Sequence, residues 1–245
     1  MDLIPRSIAR VGTLHPRQAI SVPNSSDARV AVGDDGTEWV HKELMGVNQV
    51  LAEAVSFLLA NRLDLPVPSG GVSRDSSGSP SWLSHLIHAP SHWQPSLFES
   101  IEDGPESMGT MYALDALVLN EDRHDGNVLL EHRGEGTRRP WYIDFANAHI
   151  GSPVGLLDDR DLVPDPRASH FRPAPLGDAV VRAATAAAHR AQALPTECLA
   201  ADAHEACDAA ACPDLENELL MVLRYRCSEL GSILPQYLKA LEACR

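Results

Sequence analysis

The feature that most restricts the fold of this chain is a polar octapeptide, NEDRHDGN at 120–127, set between an apolar helical run and two short apolar stretches. Upstream, PESMGTMYALDALVL (105–119) offers Met108, Met111, Tyr112, Ala116 and Val118 or Leu119 for packing and predicts a helix. Downstream, NVLL and WYIDF flank the polar turn EHRGEGTRRP and predict two strands. A loop this short, leaving a helix and entering a strand, can point its polar side chains into one cavity. Asp144 then follows an apolar strand, so its carboxylate emerges where that strand ends.

The rest of the chain divides around this segment. ARVAV (28–32) and EWVHKEL (38–44) flank GDDG, a strong turn signal, and predict a hairpin. A small polar loop, PNSSD (23–27), precedes it. VNQVLAEAVSFLLANRL (47–63) carries apolar residues at near-helical spacing and stops at DLPVP, where proline forbids continuation. VSRDSSGSPSWLSHLI predicts a second hairpin about a Ser/Gly/Pro turn. From about residue 90 the pattern turns helical. Residues 150–176 read as irregular, and the remainder as Ala/Leu-rich helices broken at Pro195, Pro213 and Gly231. The expectation is an α+β, two-lobed fold: a small β-rich lobe over 1–89, a larger helical lobe over 90–245, and a ligand cleft between them.

Charge narrows the function. The formal net charge is -14, which argues against binding to a phosphate backbone. A polyphosphate ligand would need a local positive site made from one or two side chains and metal ions. No apolar stretch of roughly 18 residues predicts a membrane span, and MDLIPRSIARVG lacks a signal-peptide core, so a cytoplasmic protein is expected. The cysteines Cys198, Cys207, Cys212, Cys227 and Cys244 are odd in number and lie late in the chain, which argues against a disulfide framework. His204, Cys207 and Cys212 lack the paired spacing of a zinc site and fall in an Ala-rich helical segment.

Phosphoryl transfer asks a protein mainly for positioned metal ions and a carboxylate that orients the attacking hydroxyl. Asp122 and Asn127, five residues apart across the polar loop, and Asp144 supply two carboxylates and an amide oxygen, donors suited to Mg²⁺. Taken alone the loop is also an ordinary solvated Asp/Asn/Gly turn. Lys42 closes a strand in a chain with only two lysines, and a compact ammonium suits phosphates where a forked guanidinium fits less well. Glu53, eleven residues on, lies on the polar edge of the 47–63 helix and can hold that lysine. The loop PNSSDARV, with Ser25 and Ser26 where glycine would be expected, is as consistent with a phosphate-facing loop as with a plain turn.

In this order, PNSSDARVAV, EWVHKEL, LAEAVSFLLANRLDLPVP, LNEDRHDGNVLL and WYIDF resemble the HipA-like kinases over roughly residues 20–150. The resemblance implies a two-lobed protein-kinase-like fold using ATP and Mg²⁺. Asp122 would be the base, Asn127 and Asp144 the metal ligands, Lys42 the ligand of the α- and β-phosphates and Glu53 its partner. The strand WLSHLI, with Leu86, would lie near the adenine. His124 would support the loop or stabilise developing charge. Ser25 or Ser26 would be autophosphorylated, switching the enzyme off. A protein Ser/Thr kinase, toxin-like and with an antitoxin or regulatory partner, follows from the same resemblance.

D-R-H-x-x-N is shared with phosphoinositide kinases, and D-x-x-x-x-N followed by I-D-F with aminoglycoside and choline phosphotransferases. Those usually read H-G-D before the loop; N-E-D here tilts towards the HipA-like group. D-F-A replaces the D-F-G of eukaryotic protein kinases, which leaves the metal ligand but not the D-F-G switch. Three functions stay open: a protein kinase, a small-molecule phosphotransferase, and a nucleotide-binding pseudoenzyme acting through partners. The acceptor region would be 147–176 with the C-terminal helices, where Asp158, Asp159, Asp161 and Asp165 form an acidic rim.

Overall fold

The computed structural model describes residues 7–16, 28–43, 45–167 and 176–244. Among the described residues, β1 (Ala9–Arg10), β2 (Leu14–Pro16), β3 (Ala28–Gly33), β4 (Glu38–Lys42), β5 (Gly70–Arg74) and β6 (Pro80–His85) form one sheet in the order β1-β5-β6-β4-β3-β2. All neighbours are antiparallel except β1 with β5. Both expected hairpins are present, each held by an aspartate. Asp35 accepts from the Thr37 backbone and hydroxyl (both 2.9 Å), and Asp75 accepts from the Ser77 and Ser79 backbone N–H groups (both 2.9 Å).

Helix α1 (Val47–Arg62) begins where the Gln49 side chain accepts from the Gly46 N–H (2.9 Å) and ends before the prolines at 66 and 68. It is buried on every side from Val50 to Ala60, because the sheet covers one flank and the C-terminal half the other. Two sequence expectations change as a result. Glu53 is not on a polar edge but 3% exposed, and Val47, the first apolar residue of the periodic run, is exposed.

A second sheet joins β7 (Ser91–His92), β8 (Val128–Gly134) and β9 (Thr137–Tyr142). The WYIDF strand therefore stops at Tyr142, two residues short of Asp144. Helix α2 (Gly104–Val118) is almost wholly buried, and α3 (Pro153–Leu156) is a single turn. Helices α4 (Asp178–Gln192), α5 (Thr196–Ala209) and α6 (Glu216–Glu242) complete the helical half. α2 lies against α4 at Gly109, where a Cβ would stand 2.6 Å from the Val180 oxygen and the Ala184 nitrogen. The breaks at Pro195 and Pro213 are present, but the one expected at Gly231 is not. α6 runs through Gly231 and Pro235 because Leu230, Ile233, Leu234, Tyr237 and Leu241 are buried along it, and packing overrides local propensity. Among the described residues no helix is long and apolar enough to cross a membrane.

Candidate active site

Three segments distant in sequence meet at Lys42. Its Nζ donates to Glu53 Oε1 at 2.6 Å and to Asp144 Oδ1 at 2.7 Å. The lysine comes from the end of β4, the glutamate from inside α1, and the aspartate from the turn after β9. The Glu53 side chain is buried, Lys42 is 13% exposed and Asp144 31% exposed. Burial opposes the charge on Lys42, but Glu53 and Asp144 outweigh it and raise its pKa. Burial pushes the Glu53 carboxyl up, with Lys42 pulling the other way. Burial also acts to raise the Asp144 carboxyl, but the Lys42 ammonium, its hydrogen bond and the Ala146 backbone hold it below the usual range. Asp144 takes a left-handed conformation (φ 61°), strain of the kind that clusters at functional sites.

The polar loop is braced from beneath by a pair the sequence analysis missed. Asp115, fully buried in α2, accepts from Arg123 Nε at 3.0 Å and Nη2 at 2.8 Å, and from the Asn120 side chain at 2.8 Å. Arg123 then donates from Nη1 to the Asn127 carbonyl (3.2 Å) and the Ile143 carbonyl (2.9 Å), and its guanidinium lies over Phe145. One arginine thus ties the polar loop to the Asp144 turn. The Ile143 N–H closes the link by donating to the Asn127 carbonyl (3.1 Å). An Asp within the apolar run YALDALVL, eight residues before an Arg, was the available signal.

Within the loop, Asn127 donates its side-chain N–H to the Asp122 carbonyl (2.9 Å), so its amide oxygen is the atom left to serve as a ligand. Asp122 is half-buried. Its backbone N–H goes to Asn120 Oδ1 (3.1 Å), and its Oδ2 accepts from the Asn147 side chain (2.7 Å), another residue not foreseen. His124 Nδ1 accepts from the Gly126 N–H (3.1 Å), which is the loop-supporting alternative of its two expected roles. Leu86 lies just past β6, and its N–H donates to the Glu38 carbonyl (3.0 Å), so its backbone donor is already engaged. Ser25 and Ser26 lie outside the described residues.

Arg226 of α6 was also missed. It is fully buried and donates to the carbonyls of Ala116, Leu117, Arg160 and Leu162 (2.5–3.1 Å). It caps the end of α2, from which the polar loop departs, and anchors the acidic segment. Burial lowers its pKa to about 10. The acidic rim is only partly free: Asp165 is held by Arg167 and Asp161 by the Tyr225 hydroxyl, which leaves Asp158 and Asp159 exposed.

Among the described residues no three His, Cys, Asp or Glu side chains are grouped as metal ligands. The site nonetheless fits Mg²⁺ of the phosphate-bridging kind, which takes one or two carboxylates and completes its shell with phosphates and water. A carboxylate held ionised and an amide oxygen with its nitrogen already engaged are suitable hard donors.

The fold is shared with solved structures. The proinflammatory kinase CtkA of Helicobacter pylori matches with a TM-score of 0.59 over 96% of this chain and 99% of that chain, at 13% identity. The N-terminal 618-residue fragment of LepB from Legionella pneumophila matches with a TM-score of 0.51 over 82% of this chain and 46% of that chain, also at 13% identity. No protein-family model and no curated protein matches the chain. The protein therefore has a two-lobed α+β kinase-like fold, while the likeness to the HipA-like group rests on the sequence motifs alone.

Proposed function

We propose that this chain is an ATP-dependent phosphotransferase that carries the γ-phosphate to a hydroxyl acceptor, with a protein Ser/Thr side chain as that acceptor. The observation that carries this is the Lys42 ammonium held at 2.6 Å from Glu53 and 2.7 Å from Asp144. So costly a set of half-buried and buried charges is retained where it has work to do. That CtkA, similar in fold, is a kinase supports the same conclusion. The lobes meet near residue 89, with ATP between them and its adenine beside Leu86.

In this scheme Lys42 holds the α- and β-phosphates and Glu53 fixes Lys42. Asn127 and Asp144 would hold Mg²⁺, which when bound neutralises charge on the polyphosphate. Asp122 orients the acceptor hydroxyl and takes its proton as the new P–O bond forms and the bond to the β–γ bridging oxygen breaks, releasing ADP. Asn147, bonded to Asp122 Oδ2, leaves the other carboxylate oxygen for that proton. Position and electrostatics supply most of the rate.

A small-molecule acceptor is the second reading; the exposed Asp158 and Asp159 would attract a cationic small molecule or a basic protein segment equally well. The segment that bears them lies against the polar loop through the Asp165 N–H, which donates to Glu121 (3.0 Å). Incubation with γ-labelled ATP and Mg²⁺, alone and with cell extract, separates these outcomes. Label on a protein supports the first, label on a small molecule the second. Label on neither, with the wild type indistinguishable from Asp122→Ala, removes the enzymatic assignment.

A further inference from the structure

Helix α5 ends in a Schellman turn whose first and last residues are both cysteines. Ala211 adopts the left-handed conformation (φ 57°). The Cys212 N–H donates to the Cys207 carbonyl (2.9 Å) and the Ala211 N–H to the Asp208 carbonyl (3.2 Å), the paired bonds that define this cap. The same cap brings the side chains of its two ends together, a contact usually made by apolar residues. Here the two ends are free thiols, Cys207 and Cys212, which interact with each other. A 2.9 Å N···O bond between the two residues keeps their Cα atoms within about 6.8 Å, the outer limit of disulfide geometry.

The two thiols are unequal. Cys207 is fully buried, and Glu216 and Glu218 add negative charge near it. Cys212 is partly exposed and sits at the entrance to the turn Pro213–Leu215 that leads into α6. Its hydrogen bond from Cys207 lowers its pKa, against the opposing effect of burial. One thiol is thus the more accessible, and its buried partner stands beside it. His204, three residues before Cys207, is engaged by Glu216 (2.9 Å) rather than turned to the sulfurs, which argues against a metal site.

We propose that Cys207 and Cys212 are a reversible redox modification site, oxidised by hydroperoxides to an intrachain disulfide. The Cys212 thiolate attacks a peroxide oxygen; the O–O bond breaks, the leaving oxygen departs as hydroxide or water, and Cys212 becomes a sulfenic acid. The Cys207 sulfur then attacks the Cys212 sulfur; the S–O bond breaks, and the oxygen leaves as water with the proton of Cys207. Two thiols lose two electrons and hydrogen peroxide becomes two waters. An external thiol reverses the step by exchange. The disulfide would fasten the cap of a helix that holds Arg62 of α1 through Asp202, the Ile8 N–H through Glu205 and Arg10 through Asp208. This site is independent of the phosphotransferase assignment.

The test is thiol counting on the full chain after hydrogen peroxide, followed by denaturation, alkylation with N-ethylmaleimide and peptide mapping. Two of the five thiols should become unreactive, both mapping to Cys207 and Cys212, and dithiothreitol should restore them. Cys212→Ser should abolish the loss, and Cys207→Ser should leave a sulfenic acid at Cys212 that dimedone traps. Five reactive thiols after oxidation would overturn the proposal. So would a disulfide involving Cys198, Cys227 or Cys244, or stoichiometric zinc protecting the pair in the purified protein.

Discussion

Replacing Asp115 by alanine should unfold more of this protein than any change at the surface. Asp115 is fully buried and Arg123 is 2% exposed. The substitution removes both carboxylate bonds of Arg123 and the acceptor of Asn120, and leaves a buried guanidinium on two carbonyls. Breaking a buried pair from one side costs about 3–5 kcal/mol. For a chain of this size each kcal/mol lowers Tm by about 2–4 °C, so melting should fall by roughly 6–20 °C. Thermal and urea unfolding followed by circular dichroism measure this directly. The double variant Asp115→Leu, Arg123→Met should recover much of the loss, because an apolar pair replaces the charges. It should not recover phosphoryl transfer, since no guanidinium would then bridge the Asn127 and Ile143 carbonyls. A loss under about 1 kcal/mol in the single variant, or full transfer in the double, would refute the role given to this pair.

Three further outcomes follow. Gly109→Ala should cost about 1–3 kcal/mol by overpacking, because its Cβ meets α4 backbone at 2.6 Å; an unchanged or raised Tm would contradict the helix contact. Arg226→Met should lower kcat with little change in KM for ATP, and Arg226→Lys should restore part of it; an unchanged kcat in the Met variant counts against the capping role. Asp144 has a depressed pKa in the folded protein, so its bond to Lys42 is intact above the unfolded value of about 3.9 and is lost only as pH falls through the lower folded value. The acid limb of activity due to Asp144 should therefore set in below about pH 4; a limb near pH 6 assigned to Asp144 by its loss in Asp144→Asn would contradict the geometry.

The parts of the fold written in short-range patterns were legible. GDDG and the Ser/Gly/Pro turn announced both hairpins, and the 47–63 periodicity announced α1 within one residue of its end. What stayed hidden depends on distant packing. A helix covered on both flanks shows no polar stripe, so the burial of Glu53 could not be read from α1 itself. Gly231 looks like a stop signal until its apolar neighbours are seen to bury on α2 and α4. The residues proposed to carry the chemistry, Lys42, Glu53, Asp122, Asn127 and Asp144, could be named from motif spacing. Of their supports, Asn147 and Arg226 could not, because each acts on a carboxylate or carbonyl supplied by more distant chain, and Asp115 offered only its eight-residue spacing from Arg123.

The central claim is that Lys42, Asn127 and Asp144 form a magnesium-nucleotide site, and calorimetric titration with ATP tests it most directly. The wild type should bind ATP more tightly with Mg²⁺ than with EDTA, and Asp144→Ala, folded by circular dichroism, should lose that difference. Equal binding with and without Mg²⁺ in the wild type, or an unchanged magnesium effect in Asp144→Ala, would contradict it.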